Sequence, residues 1–311
     1  MSSSERYPEA VQVVGLGQAS VDYLGRVPAF PNEDEKVELL DIQMQCGGPV
    51  STALVTLSRL NVATAFIGSI SNDPLGLEIL RDLEKEGINV RALKVTPGFT
   101  SQLAFIAITE GVGKRSIFWH RGSVPPLEPD YVQLGAFPNA TLLHLDGLMI
   151  DASIEAARQA KARGMSVVMD AGTMRAGSQR LATLVDVLIA SERFATPLVG
   201  ADARPETALE ALHGLGPELV IITFGPRGSI GSDRRNTVHQ KAFPVDALDT
   251  TGAGDVYHGG YLYGMLQGWD MRRCMRFASA VAAIKCCRIG GRKGIPDLHA
   301  VETFLRDHPT I

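Results

Sequence analysis

Cysteine is scarce in this chain, with four among 311 residues. Cys46, Cys274, Cys286 and Cys287 form no C-x-x-C pair and accompany no histidine cluster. That excludes a disulfide-stapled scaffold, a zinc site of the usual spacing and a thioredoxin-like redox motif, and it suits a reducing compartment such as the cytoplasm. A basic excess is also missing. Thirty Lys and Arg stand against 34 Asp and Glu, a net charge of −4, so there is no overall field for nucleic acid or an anionic membrane. No segment approaches the roughly 18 uninterrupted apolar residues of a membrane span. The first residues, Met1-Ser-Ser-Ser-Glu5-Arg6, lack the basic start and apolar stretch of a secretion signal. There is no internal repeat, and the proline-rich Val124-Pro-Pro-Leu-Glu-Pro129 reads as a short connection. A cytoplasmic protein with no nucleic-acid or membrane partner is expected.

What the chain has in quantity is apolar residue, 45% of the total. A chain near this length buries about three quarters of its unfolded surface, so packing alone suffices to stabilise it. Short β-branched runs at Val11–Gly17, Ala63–Gly68, Leu142–Leu145, Ser166–Asp170, Val185–Ala190 and Leu219–Thr223 predict buried strands. Apolar spacings of three and four predict helices at Val50–Leu60, Leu75–Glu86, Ser153–Arg163, Glu206–His213, Asp255–Gln267 and Met271–Cys287. The alternation predicts one α/β domain over residues 1–311 with a doubly wound, mostly parallel sheet flanked by helices. Four segments alternate apolar with polar instead: Asp22–Val27, Lys36–Gln45, Gln102–Thr109 and Arg115–His120, the last two joined by a turn at Glu110-Gly-Val-Gly113. They predict a small separate sheet, placed as a lid over the main sheet's ligand edge, with an apolar face suited to pairing in a homodimer.

The segment richest in chemistry is Asp249-Thr-Thr-Gly-Ala-Gly-Asp255. Gly252 and Gly254 allow a sharp turn, and the helical pattern beyond Asp255 makes that turn a helix N-terminus with unpaired amides, a natural anion site. A carboxylate beside it can accept a proton from an alcohol. Together these describe phosphoryl transfer to a hydroxyl, although Asp is also an ordinary helix cap. Gly15-Leu-Gly17-Gln-Ala-Ser20 suggests a dinucleotide-binding oxidoreductase, but Ser20 replaces the third glycine and no helix pattern follows.

Asp249–Asp255 with its small-residue helix resembles the C-terminal signature of the PfkB (ribokinase-like) carbohydrate kinase family, and Gly47-Gly48-Pro49 entering a helix resembles the N-terminal one. They lie about 200 residues apart in the family's order, and the resemblance extends from Val11 to about Leu305. It implies an ATP-dependent sugar kinase using Mg²⁺, with a sensor of sugar or nucleotide on the same fold as the alternative. Asp255 matches the catalytic base, and Gly252, Ala253 and Gly254 match the anion hole. Asp22 matches the acid that binds sugar hydroxyls, beside Gly47 and Gly48. Thr52 stands where the family usually has Asn, which bears on the choice of sugar.

On the nucleotide side, Ile221-Ile-Thr223-Phe-Gly225-Pro-Arg-Gly228 resembles the strand and turn beside the phosphates, with Thr223, Gly225 and Gly228 as contacts. Ser191-Glu192-Arg193-Phe194 replaces the family's N-x-x-E, leaving Ser191 at the nucleotide and implying a water-mediated metal shell. Asp170-Ala-Gly-Thr-Met-Arg175 resembles a strand end near sugar and phosphate, where Arg175 would neutralise charge. The loop after Lys285 resembles one that, with Asp249, Thr251 and Gly290, holds a monovalent cation such as K⁺. Arg292-Lys293-Gly-Ile-Pro296, with Thr52 and Asp255-Val-Tyr-His258, resembles a subgroup that includes sulfofructose kinases. In that reading the lid residues Lys36, Arg115, His120 and Arg121 meet an anionic group on the sugar.

Overall fold

Strands that are apolar on both faces are stable only between two helical layers, and that is the arrangement found in the computed structural model, which describes residues 10–111 and 115–309. The main sheet contains β1 (Val13–Leu16), β4 (Thr64–Ile70), β5 (Leu93–Val95), β8 (Leu142–Leu145), β9 (Ser166–Ala171), β10 (Val187–Ser191), β11 (Leu219–Thr223), β12 (Ser229–Ser232) and β13 (Thr237–Gln240). Their order is β13-β12-β11-β10-β9-β8-β1-β4-β5, parallel from β11 to β5, with β12 and β13 antiparallel at one edge.

Side chains alternate between two cores. Val13, Val168, Ile189 and Ile221 join α1 (Pro49–Arg59), α2 (Pro74–Lys85), α7 (Ala253–Leu266), α8 (Met271–Cys286) and α9 (Leu298–Asp307). Val14, Leu16, Leu143 and Leu188 face α3 (Ile150–Ala162), α4 (Ser178–Ala182), α5 (Glu192–Val199) and α6 (Pro205–His213). No helix among the described residues is long and apolar enough to cross a membrane.

The second sheet contains β2 (Ser20–Val27), β3 (Asp41–Gly47), β6 (Leu103–Thr109) and β7 (Arg115–His120) in the order β3-β2-β6-β7. All four expected lid strands are present, but β3 starts at Asp41, and Lys36 lies in the preceding loop. There Glu35 accepts hydrogen bonds from the backbone and side chain of Asn32, which closes a local turn, and the backbone rejoins β2 only at Leu40 N to Arg26 O. Of the turn expected at Glu110–Gly113, Val112 and Gly113 lie outside the described residues. The short β5, β12 and β13, and the helices α4, α5 and α9, were not expected. The segment from Glu192, expected as strand or loop, is helical, and α5 accommodates Pro197 within it.

The approach of α7 to α1 sets the working distances of the molecule. Gly259 of α7 faces α1, and a methyl group there would come within 2.5 Å of Thr56 Cβ and 2.7 Å of the Ala53 carbonyl oxygen. Gly259→Ala should therefore lower stability by about 1–3 kcal/mol in urea unfolding, because overpacking outweighs alanine's better helix propensity. A neutral or stabilising result would show that the two helices are not held this closely.

Candidate active site

In open α/β sheets a crevice opens beyond the strand C-termini where the chain reverses its winding direction. Here that point lies between β1 and β8, since β1 pairs with β4 on one side and β8 on the other. Asp146 follows β8 at this place, buried beneath Gly17, where any side chain would collide with its carboxylate. Its two oxygens accept from the Gln18 amide (2.7 Å) and the Leu148 amide (3.0 Å). Burial pushes its pKa up to about 7 against those two hydrogen bonds, with Asp170 and Asp255 adding to the rise.

The start of α7 faces the same crevice. Gly252 caps the helix at φ 72°, a conformation suited to glycine, and packs against the Gly291 backbone. A side chain at Gly254 would meet nothing within 4 Å, so the turn opens into free space. Asp255, in the first turn of α7, has its pKa pushed up to about 6 by burial and by Asp170; His258 and Arg115 oppose this, and Asp22 adds a smaller rise. Asp170, at the end of β9, lies 3.3 Å from His258 Nε2. Burial raises the Asp170 carboxyl, but His258 and His144 outweigh burial and leave it below its usual value. The buried His144 ring lies 5.4 Å from the His258 ring, and burial followed by His258 lowers its pKa to about 3. Neutral His144 is thus an apolar-like floor under His258.

The expected sugar-side residues converge. Asp22 on β2 is 8% exposed and accepts from the Ser20 hydroxyl at 2.7 Å. Burial raises its pKa, offset by Ser20 and by the charge of Arg292. Gly47 runs so close that a Cβ would collide with the Asp22 carboxylate, and Gly48, at φ 103°, passes just as closely over the Gln18 carbonyl. Thr52 is buried, and its hydroxyl accepts from Arg292 Nε at 3.3 Å. The same guanidinium donates to Ser51 Oγ (2.8 Å) and the Gly47 carbonyl (3.2 Å), and it pairs with Asp82. A cation 240 residues away in sequence thus occupies the neighbourhood of the missing amide.

On the other side of α7, Ser191 and Thr223 are aligned at adjacent strand ends. Ser191 donates to the Gly172 carbonyl (2.6 Å), and Thr223 donates to that of Ala190 (3.3 Å). Gly225 and Gly228 follow at φ 59° and 91°, forming the turn between β11 and β12. Glu192 opens α5, where Arg227 Nη2 lies 2.7 Å from both its oxygens.

The lid contributes unevenly. Arg115 crosses to the catalytic turn and donates to Thr250 Oγ1. Arg121 and Arg175 lie 5.1 and 5.8 Å from the Trp119 ring centre, forming a cationic rim. His120 accepts from the Gly122 amide, and Lys36 is exposed in its loop.

Asp249, Thr251 and Gly290 also meet. Asp249 Oδ1 accepts from the Thr251 amide (2.8 Å) and hydroxyl (2.6 Å), and Oδ2 accepts from the Gly290 amide (2.8 Å).

Comparison with known proteins identifies the family. The profile for the pfkB family of carbohydrate kinases matches residues 11–298. The chain belongs to that family. The ribokinase of Haemophilus influenzae is 28% identical over 298 residues, covering 93% of this chain and 97% of the relative. A crystal structure assigned as a ribokinase from Agrobacterium tumefaciens superposes with a TM-score of 0.87 at 27% identity, covering 97% of this chain and 99% of that one. A protein assigned as ribokinase II of E. coli, in complex with ATP and Mg²⁺, shares the fold with a TM-score of 0.83 at 23% identity, covering 96% and 100%.

As a pfkB carbohydrate kinase, the chain is a phosphotransferase acting on a hydroxyl acceptor. Among the described residues no group of three or more His, Cys, Asp or Glu forms a ready metal cage. The acid nearest the expected metal motif, Glu192, is engaged by Arg227. Sequence reasoning missed Asp146, His144 and the bracing by Arg292. Asp146 stands one residue past a strand end, a position recognisable only once the strand order is known.

Because the folded protein favours neutral Asp255, ionising this residue costs stability. The cost is absent below the unfolded carboxyl pKa, grows between about 4 and 6, and is complete above about 6. Asp255→Asn should accordingly melt at a higher temperature than wild type at pH 8, with the difference vanishing near pH 4. Equal melting temperatures at pH 8 would show that Asp255 is not held in this desolvated, acidic setting.

Proposed function

We propose that the protein transfers the γ-phosphoryl group of ATP to a primary hydroxyl of a sugar or sugar derivative. The observation that carries this reading is a carboxyl with a pKa of about 6 in the first turn of α7, beside an N-terminal turn that opens into free space. Asp255 is mostly ionised at neutral pH and accepts the hydroxyl proton as that oxygen attacks the γ-phosphorus; the bond to the β-phosphate oxygen breaks and ADP leaves. Amides of Gly252, Ala253 and Gly254 stabilise charge on the moving group. Bound Mg²⁺ would neutralise phosphate charge, and every other step is assigned to protein groups.

Asp22, with its acceptor oxygens, and the Gly47-Gly48 backbone are assigned to sugar hydroxyls. The Thr52 hydroxyl is engaged by Arg292, so Thr52 is assigned to supporting the Gly47 turn. Ser191, Thr223, Gly225 and Gly228 are assigned to the nucleotide. Arg175 and Arg121 on the Trp119 rim favour an acceptor with an anionic substituent. Arg115 is assigned to the catalytic turn. Lys36 and His120 carry no role in this proposal. Asp249, Thr251 and Gly290 meet as a cation site would require, with the Asp249 carboxylate accepting from both neighbours, and no step of the proposed reaction is assigned to K⁺.

ADP release from ATP·Mg²⁺ should be stimulated by one acceptor class in a panel of neutral sugars, sugar phosphates, sugar acids and sulfosugars. With that acceptor, kcat/KM should fall about tenfold per pH unit below ~6, and Asp255→Asn should lose activity by orders of magnitude while still binding nucleotide. Turnover in Asp255→Asn close to wild type would overturn the assignment.

A homodimer through the lid sheets completes the proposal. Ile42, Met44 and Phe118 stand on the same face of the lid and are each at least half exposed, and Phe30 stacks on Phe118 with ring centres 6.4 Å apart. An apolar face of this kind is stabilised by a second copy. Phe118→Asp should halve the mass measured by light scattering; a wild type already monomeric at micromolar concentration would dismiss the dimer.

A further inference from the structure

Lys285 of α8 has no exposed surface. Its ammonium donates to the backbone carbonyl of Asp249 at 2.9 Å. A fully buried ammonium is costly unless it is paired and hydrogen-bonded, so its position calls for a reason. Burial pulls its pKa below the ordinary lysine value; Asp249, Cys286 and Asp255 hold it up, and Arg115 opposes them. The ammonium is thus within electrostatic reach of the catalytic carboxyl and sits on the first residue of the anion-hole turn.

The setting is the one in which a monovalent cation was expected. A cation there would require free oxygens from Asp249 and its neighbours. The Asp249 carboxylate instead accepts three hydrogen bonds from Thr251 and Gly290, and an ammonium, that of Lys285, already stands on the Asp249 carbonyl. The turn beyond is continuous with this knot, since Thr250 accepts from the Ala253 amide at 3.2 Å. An ammonium group and K⁺ carry the same charge and are close in size.

We propose that the Lys285 ammonium is a built-in replacement for the monovalent cation, fixing the Asp249–Gly254 turn and placing a positive charge behind the anion hole, so that the enzyme works without K⁺. Lys285 is a positioning residue that acts through the Asp249 peptide. The proposal rests on the kinase reading above and extends it.

The test begins with measurements that need no sugar. Affinity for ATP·Mg²⁺ by calorimetry, and the melting temperature, should agree within about twofold and within error, respectively, for wild type in choline, Na⁺ or K⁺ chloride at equal ionic strength. A tenfold tightening or a clear rise in melting temperature specific to K⁺ would overturn the proposal, whatever the acceptor proves to be. With an acceptor in hand, Lys285→Met should lower kcat about 10- to 100-fold with little change in sugar KM. Lys285→Ala, which leaves room for an ion, should regain activity and ATP affinity with K⁺ or NH₄⁺ but not with choline. A Lys285→Met enzyme with wild-type kcat, or a folded Lys285→Ala enzyme indifferent to K⁺ and NH₄⁺, would refute the idea. If both variants fail to fold, the wild-type cation series still decides it.

Discussion

Negative charge crowded into one crevice is the constraint around which this molecule is arranged. Asp22, Asp146 and Asp170 are buried at neighbouring strand ends, with the half-buried Asp255 at the helix end beside them. Left uncompensated, such a group would bind protons rather than take part in catalysis. Each acid is handled differently. Asp170 is held down by His258, and Asp146 is tied by two backbone amides. Asp146 near 7 and Asp255 near 6 keep the raised pKa of desolvated carboxyls, while Asp170 stays below the usual value. The histidine pair, the α7 dipole and the cations at 115, 285 and 292 all bear on that balance.

The large outline was readable from residue patterns because the signals were local. Buried β-branched runs and three-four spacings located six parallel strands of the main sheet and six of the helices that flank it, α1, α2, α3, α6, α7 and α8. The lid strands were visible through their alternation, since one face is apolar and the other meets polar groups. The Gly252–Asp255 turn alone reads equally as an ordinary helix cap, and the longer string Asp249–Asp255 made it specific. Boundaries were harder. At Lys36 the alternation continues, yet the Asn32–Glu35 turn keeps the segment out of the sheet until Asp41. At Glu192 the expected strand or loop is a helix.

What could not be read was compensation between residues far apart in sequence. Thr52 looked like a simple loss, and nothing adjacent hinted that Arg292 would brace the same turn. Lys285 lay within a helical pattern where a lysine usually marks a solvated face or a helix end. Its burial became evident only when α8 was placed against the Asp249 turn. The two cations brace different turns: Arg292 joins the glycine turn after β3 to α2, while Lys285 holds the Asp249 carbonyl before α7.

The lid's attachment has a mechanical consequence. β2 leaves β1 after Gly17-Gln18-Ala19, and β3 enters α1 through Gly48, so two of its strands are anchored within a few residues of the sugar-side groups. Asp22 and Gly47 are themselves members of those strands. The small sheet and the Asp22 carboxyl therefore form one body: any tilt of the sheet relative to α7 changes the separation of Asp22 and Asp255 as well.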